Sequence, residues 1–160
     1  MAGSTTKKVM VRRFDREPLA GFVNPRSWLQ PGGVELLRPD GTVLEVSYAD
    51  IQWVSFVKDF DSAAQPESKV FLTRPKMEGL WVRMTFRNQE VMEGILANNL
   101  LLLDPFGFSI TPPEPFSNHQ RVFVPRQALT EIQVLGVVGS PLRGPKRVPK
   151  SKDQGLLFDE

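Results

Sequence analysis

Val9-Met10-Val11-Arg12-Arg13-Phe14-Asp15-Arg16-Glu17-Pro18-Leu19-Ala20-Gly21-Phe22-Val23 lies without a gap over Val82-Arg83-Met84-Thr85-Phe86-Arg87-Asn88-Gln89-Glu90-Val91-Met92-Glu93-Gly94-Ile95-Leu96. Each residue of the second stretch stands 73 positions after its counterpart (82 against 9). Val9 meets Val82, Asp15 meets Asn88, Glu17 meets Glu90 and Gly21 meets Gly94. Both stretches read as strand, turn, strand. Val9 and Val11, like Val82, Met84 and Phe86, alternate with neighbours at the period of two expected of a half-buried strand. Asp15-Arg16 and Asn88-Gln89 occupy hairpin-turn positions, because Asp and Asn accept left-handed and Asx-turn geometry. Gly21 and Gly94 fall inside the second strands, where glycine marks a bulge or a sharp bend. A small barrel needs such a bend to curl its sheet.

Working outward, the ends of the two units also correspond. Val46 to Val54 lies over Val124 to Ile132, now 78 positions apart (124 against 46), so the second unit is longer by five residues. The insertion is expected within Thr111 to His119. Third strands are expected at Gly33 to Leu37 and Gly107 to Ile110. Pro39-Asp40-Gly41 is a turn signal, with Thr42 to Val46 returning as a strand. Tyr48 to Ile51 and Arg126 to Leu129 are long enough for one turn of 3₁₀ helix. The last strands are Trp53 to Val57 and Ile132 to Val138. No segment sustains a helical period over ten residues. The sequence therefore predicts an all-β fold of two tandem SH3-like or Sm-like small barrels, residues 7–60 and 79–139. A linker over 61–78 joins them, with Lys69 to Thr73 as an extra strand padding a barrel edge. Residues 140–160 are expected to form a disordered basic tail. Pro141, Pro145 and Pro149 alternate there with Arg143, Lys146, Arg147, Lys150 and Lys152, and no core-forming period remains.

The second unit contains Leu80-Trp81-Val82-Arg83, Glu93-Gly94, Thr111-Pro112-Pro113, Asn118 to Arg126 and Val134 to Val138. These residues resemble a bacterial domain family of unknown function. The first unit, ending Trp53 to Phe60, is similar to shorter members of that group. The resemblance covers roughly residues 8 to 139. It implies a bacterial source and a small-barrel fold, and it brings no site residues with it. A looser resemblance is to Sm-like RNA-binding barrels. Their Asp-x-x-x-Asn signature is not clear here, with Asn98-Asn99-Leu100 the nearest approach, so the likeness speaks to shape and not to function.

The 160 residues carry 20 Lys and Arg against 18 Asp and Glu, and a net charge of +2 is too small to argue for a nucleic-acid or membrane partner. With no cysteine, disulfides, thiolate metal sites and cysteine nucleophiles are excluded. No signal-peptide core follows Lys7-Lys8, and the run Leu100 to Leu103 is far too short to cross a bilayer. A cytoplasmic location without a membrane partner is expected. The single histidine, His119, sits near Ser117 without a triad or elbow pattern, and no metal or nucleotide motif is present. Neither catalysis nor a cofactor is expected.

Binding candidates are few. Arg12 and Arg16 form the Arg-x-x-x-Arg pair that opens PilZ domains. The downstream Asn24-Pro25-Arg26-Ser27 has the wrong spacing for the partner motif, so a solvated hairpin end is the preferred reading. Arg121 and Arg126, with Asn118 and Gln120, are phosphate-binding candidates, although surface arginines that keep a β-edge soluble are the preferred reading. Arg143, Lys146 and Arg147 of the tail are further phosphate candidates. If Val54 points into its barrel, Trp53 points out, into the contact between units. Trp28 sits in a Pro/Ser loop and is either an exposed anchor for a partner or a lid over the barrel mouth. Gln154, Leu157 and Phe158 lie in a segment that resembles the Gln-x-x-Leu-Phe peptide that bacterial proteins insert into the sliding clamp. The expected function is a non-enzymatic binding or adaptor protein with a protein partner. The alternatives are a nucleic-acid-associated protein and a PilZ-type cyclic-dinucleotide regulator.

Overall fold

The computed structural model describes residues 6–60, 69–113 and 119–139. Ten strands account for most of them: β1 Lys7–Arg13, β2 Leu19–Val23, β3 Gly33–Leu37, β4 Val43–Ser47, β5 Ile51–Val57, β6 Gly79–Phe86, β7 Val91–Leu96, β8 Gly107–Thr111, β9 His119–Pro125 and β10 Leu129–Val138. Single 3₁₀ turns at Tyr48–Asp50 and Arg126–Ala128 join β4 to β5 and β9 to β10, and a third covers Leu100–Leu102. The fold is all-β. The ten strands form one antiparallel sheet, ordered β10-β6-β7-β8-β9-β5-β1-β2-β3-β4. Its two ends, β10 and β4, are not paired with each other. Where two separate barrels were expected, the sheet runs continuously from one half into the other through the β5–β9 pair.

The registers repeat between the halves. Val9 pairs with Gly21 and Phe56, and Val82 pairs with Gly94 and Val134. The bulge that skips Gln52 between the partners of Arg12 and Arg13 recurs at Thr130 between the partners of Thr85 and Phe86. Gly33 pairs with Ser47, and Gly107 with Pro125. Gly21 and Gly94 share one steric reason. A Cβ on Gly21 would lie 2.7 Å from Leu36 Cδ1, and one on Gly94 2.5 Å from Ile110 Cδ1. Each glycine thus lets the third strand of its half pass closely over the second.

Two cores follow. Val9, Val11, Val23, Leu36, Val46 and Val54 share the first; Val82, Met84, Met92, Ile110, Val122 and Val124 share the second. In a flat sheet β5 and β4 would lie about 19 Å apart, four inter-strand spacings. Val54 and Val46 nevertheless belong to one cluster, so this half of the sheet curls over its own core. Trp53 and Phe123 cross over. Trp53, on β5, packs into the second core, while Val54 beside it faces the first. Phe123, on β9, packs into the first core. The expected outward direction of Trp53 corresponds to this placement.

Lys69 to Thr73 forms no strand. Only the first part of β7 lacks a β8 partner, and one backbone bond from Glu93 N–H to Lys69 O, 2.7 Å, covers it. The Phe71 amide and the Trp81 indole both donate to the Glu93 carboxylate, which also faces Arg83 across 3.3 Å. These bonds anchor the connector while leaving that buried carboxylate well partnered.

Candidate functional site

The seam between the halves is stitched by unlike contacts. Trp53 lies 5.7 Å from Phe86, ring centre to ring centre, and Tyr48 stacks on Phe106 at 5.2 Å. Gln52 donates to Glu90 at 2.8 Å, and Arg87 donates to the Ala49 carbonyl at 2.8 Å. The Tyr48 hydroxyl donates to Gln30 O at 2.6 Å, and burial pushes its pKa up to about 12.

A groove of about 480 Å³ opens along this seam, lined by Lys7, Pro25, Trp28, Phe56, Asp104, Ser109, Gln120 and Arg121. The first four come from residues 7–60 and the last four from residues 79–139, so the groove belongs to neither half alone. Its apolar wall is Trp28, packed edge-on against Phe56 at 5.3 Å and Phe123 at 5.2 Å. Its polar wall combines exposed Lys7, Gln120 and Arg121 with the half-buried pair Ser109 and Asp104, whose hydroxyl donates to the carboxylate. Two cations beside aromatic rings suit a ligand with an anionic group and a flat apolar face.

Of the residues singled out from sequence, the structure brings Trp28, Gln120 and Arg121 together here. Trp28 is buried, which corrects its reading as an exposed anchor: the loop carries it onto rings from both halves. Arg126 does not line the groove; its guanidinium lies 5.1 Å from the Phe108 ring centre and its amide donates to Phe106 O. Arg12 stands over the Trp53 ring at 5.4 Å, while Arg16 is exposed at the β1–β2 turn. Arg143, Lys146, Arg147, Gln154, Leu157 and Phe158 lie outside the described residues, as do Ser117 and Asn118. Lys7, Phe56, Asp104 and Ser109 were not singled out. Only the β5–β9 pairing brings them together, and no motif within one unit signals it.

Among the described residues no helix is long and apolar enough to cross a membrane, and no cluster of three or more acidic or histidine side chains could hold a metal ion. Fold and groove together define an all-β protein with a two-sided polar–aromatic cleft. A family model matches residues 5–136, and the chain belongs to that family, a family of unknown function (DUF6982). No curated protein and no solved structure matches the chain.

Proposed function

We propose that the chain is a non-catalytic binding protein in which two tandem SH3-like or Sm-like small barrels are fused edge to edge. Its recognition surface is the groove created by that fusion. The observation that carries this reading is the groove's mixed lining, four residues from each half. The small-barrel reading draws support from the repeated registers, the paired bend glycines and the curled first core. A duplicated ancestral unit accounts for all three together.

A second reading, single-stranded nucleic acid as the ligand, is favoured by one feature. Lys7 and Arg121 line the groove with the partly exposed Phe56 ring, an arrangement that offers phosphate contacts next to an aromatic surface. The basic segment from Arg143 to Lys152 would add sequence-independent attraction. For a protein partner, an acidic segment meets the same cations, and Gln154, Leu157 and Phe158 offer a separate contact.

The test is fluorescence anisotropy with full-length protein against a labelled pyrimidine strand and, separately, a labelled acidic peptide. Arg121→Glu is expected to weaken whichever probe binds. For the strand it should also flatten the salt dependence by roughly 0.7 in slope per lost phosphate contact. Binding that Arg121→Glu leaves unchanged would remove the groove from the proposal. Strand binding absent at low salt would end the nucleic-acid reading.

A further inference from the structure

We infer that this chain assembles head to tail with copies of itself, the β10 edge of one copy pairing with the β4 edge of the next. The chain already contains one such joint, at the seam between its halves. There β5, the last strand of one half, pairs antiparallel with β9, the fourth strand of the other: Val54↔Phe123, Ser55↔Val122, Phe56↔Arg121. The positions corresponding to β5 and β9 are β10 and β4, and these are the two free ends of the sheet. Each chain therefore carries both halves of a joint that it has already made once. Transferring the register gives Ile132↔Glu45, Gln133↔Leu44 and Val134↔Val43 between copies.

Exposure shows what is missing at those ends. Val54 and Val122 are 0 % exposed in the seam, whereas their counterparts Ile132 and Leu44 are 37 % and 38 % exposed. Val134 and Val43, which would face each other, are 57 % and 63 % exposed. Trp28 stands five residues before Gly33 and is 6 % exposed against Phe56 and Phe123; Leu102 stands five before Gly107 and is 64 % exposed. The apolar surface lies where a second copy would cover it.

The charges fit as well. The seam contact between Trp53 and Phe86 becomes Glu131 of one copy against Arg13 of the next. The Tyr48–Phe106 stack becomes Arg126 against Gly32, beside which the Glu45 carboxylate lies. Both substitutions place opposite charges together. Because the contact joins unlike edges, repetition closes into a ring or continues as a filament.

The test uses full-length protein in sedimentation velocity and native mass spectrometry. The wild type is expected above monomer mass, increasing with concentration. Val43→Lys and Val134→Lys each put a charge on one exposed edge position, so both should fold and both should be monomers. Mixed, they retain one intact β10 edge and one intact β4 edge, and should give a heterodimer and nothing larger. Glu131→Arg should break the assembly, and Arg13→Glu in the same chain should restore it. A monomeric wild type at every concentration, or an oligomer that both lysine variants leave intact, would overturn the proposal.

Discussion

Replacing Phe123 by alanine tests whether the exchanged aromatics bind the two halves into one cooperative unit. Phe123 is fully buried and belongs by sequence to the second half, but its ring fills the first core and meets Trp28 at 5.2 Å. Truncating a buried phenylalanine costs about 3–5 kcal/mol through lost transfer energy and the cavity left behind. The ring pair with Trp28 adds about 0.5–1.5 kcal/mol to what is lost, which places this variant near the upper end, about 4–5 kcal/mol. For a chain of this size each kcal/mol lowers Tm by roughly 2–4 °C, so a fall of roughly 8–20 °C is expected. Differential scanning calorimetry should show one transition in wild type and variant, with equal calorimetric and van't Hoff enthalpies. Hydrogen exchange should speed up in β1 to β3 as well as in β8 and β9. Two resolved transitions would refute the reasoning, and so would an effect confined to residues 79–139.

Three further perturbations read other parts of the structure. Gly94→Ala puts a Cβ 2.5 Å from Ile110 Cδ1 and 2.9 Å from Ile110 Cβ, so a loss of about 1–3 kcal/mol is expected in urea unfolding. Ile110→Val in the same chain should recover part of it. Gly21→Ala meets the Leu37 backbone oxygen at 2.7 Å, and no change at Leu36 should relieve it. Glu93→Ala removes the acceptor for Phe71 N–H and Trp81 Nε1–H. It should cost about 2–3 kcal/mol and speed proteolysis in the connector, while Glu93→Gln retains an acceptor and most of the stability. Tyr48 is the only tyrosine, so ultraviolet titration should give one phenolate midpoint near 12 in the folded protein. Its folded pKa is above the unfolded value, so its contribution is complete below about pH 10, declines as pH rises and is lost above about pH 12. Loss of stability with a midpoint at or below pH 10 would contradict the buried hydroxyl bond to Gln30.

Strands and turns were readable because their causes are local. The alternation of Val9 and Val11, the Asx-type turn residues and the glycines at 21 and 94 each act within a few residues, and the structure places strands and turns there. The seam was not readable, because nothing within β5 names its outer neighbour; hydrogen-bonding edges are the same for every strand. For the same reason the sequence leaves Trp28 open between an exposed anchor and a lid. Its Pro/Ser setting describes the loop, whereas its burial depends on Phe56 and Phe123, distant in sequence. Val70, Phe71 and Leu72 looked like a strand by composition. Among the described residues β7 donates one backbone bond to this segment, from Glu93 N–H to Lys69 O, and the Glu93 side chain takes the Phe71 amide that a strand partner would need.

The residues at corresponding positions of the two halves differ in a way that the seam explains. Trp53 and Phe123, covered by the other half, correspond to Glu131 and Glu45 on the free edges; Phe56 and Trp28 correspond to Val134 and Leu102. A joint within one chain forms at high effective concentration and never has to separate, so it tolerates large apolar groups. An edge that meets solvent before it meets a second copy must stay soluble on its own. Exposed Glu131 and Glu45, with Val134 and Leu102 in place of the larger rings, satisfy both demands. The outer joint between copies should therefore be weaker and more salt-sensitive than the inner one. Assemblies should dissolve into intact monomers on dilution or added salt, well before the β5–β9 seam opens.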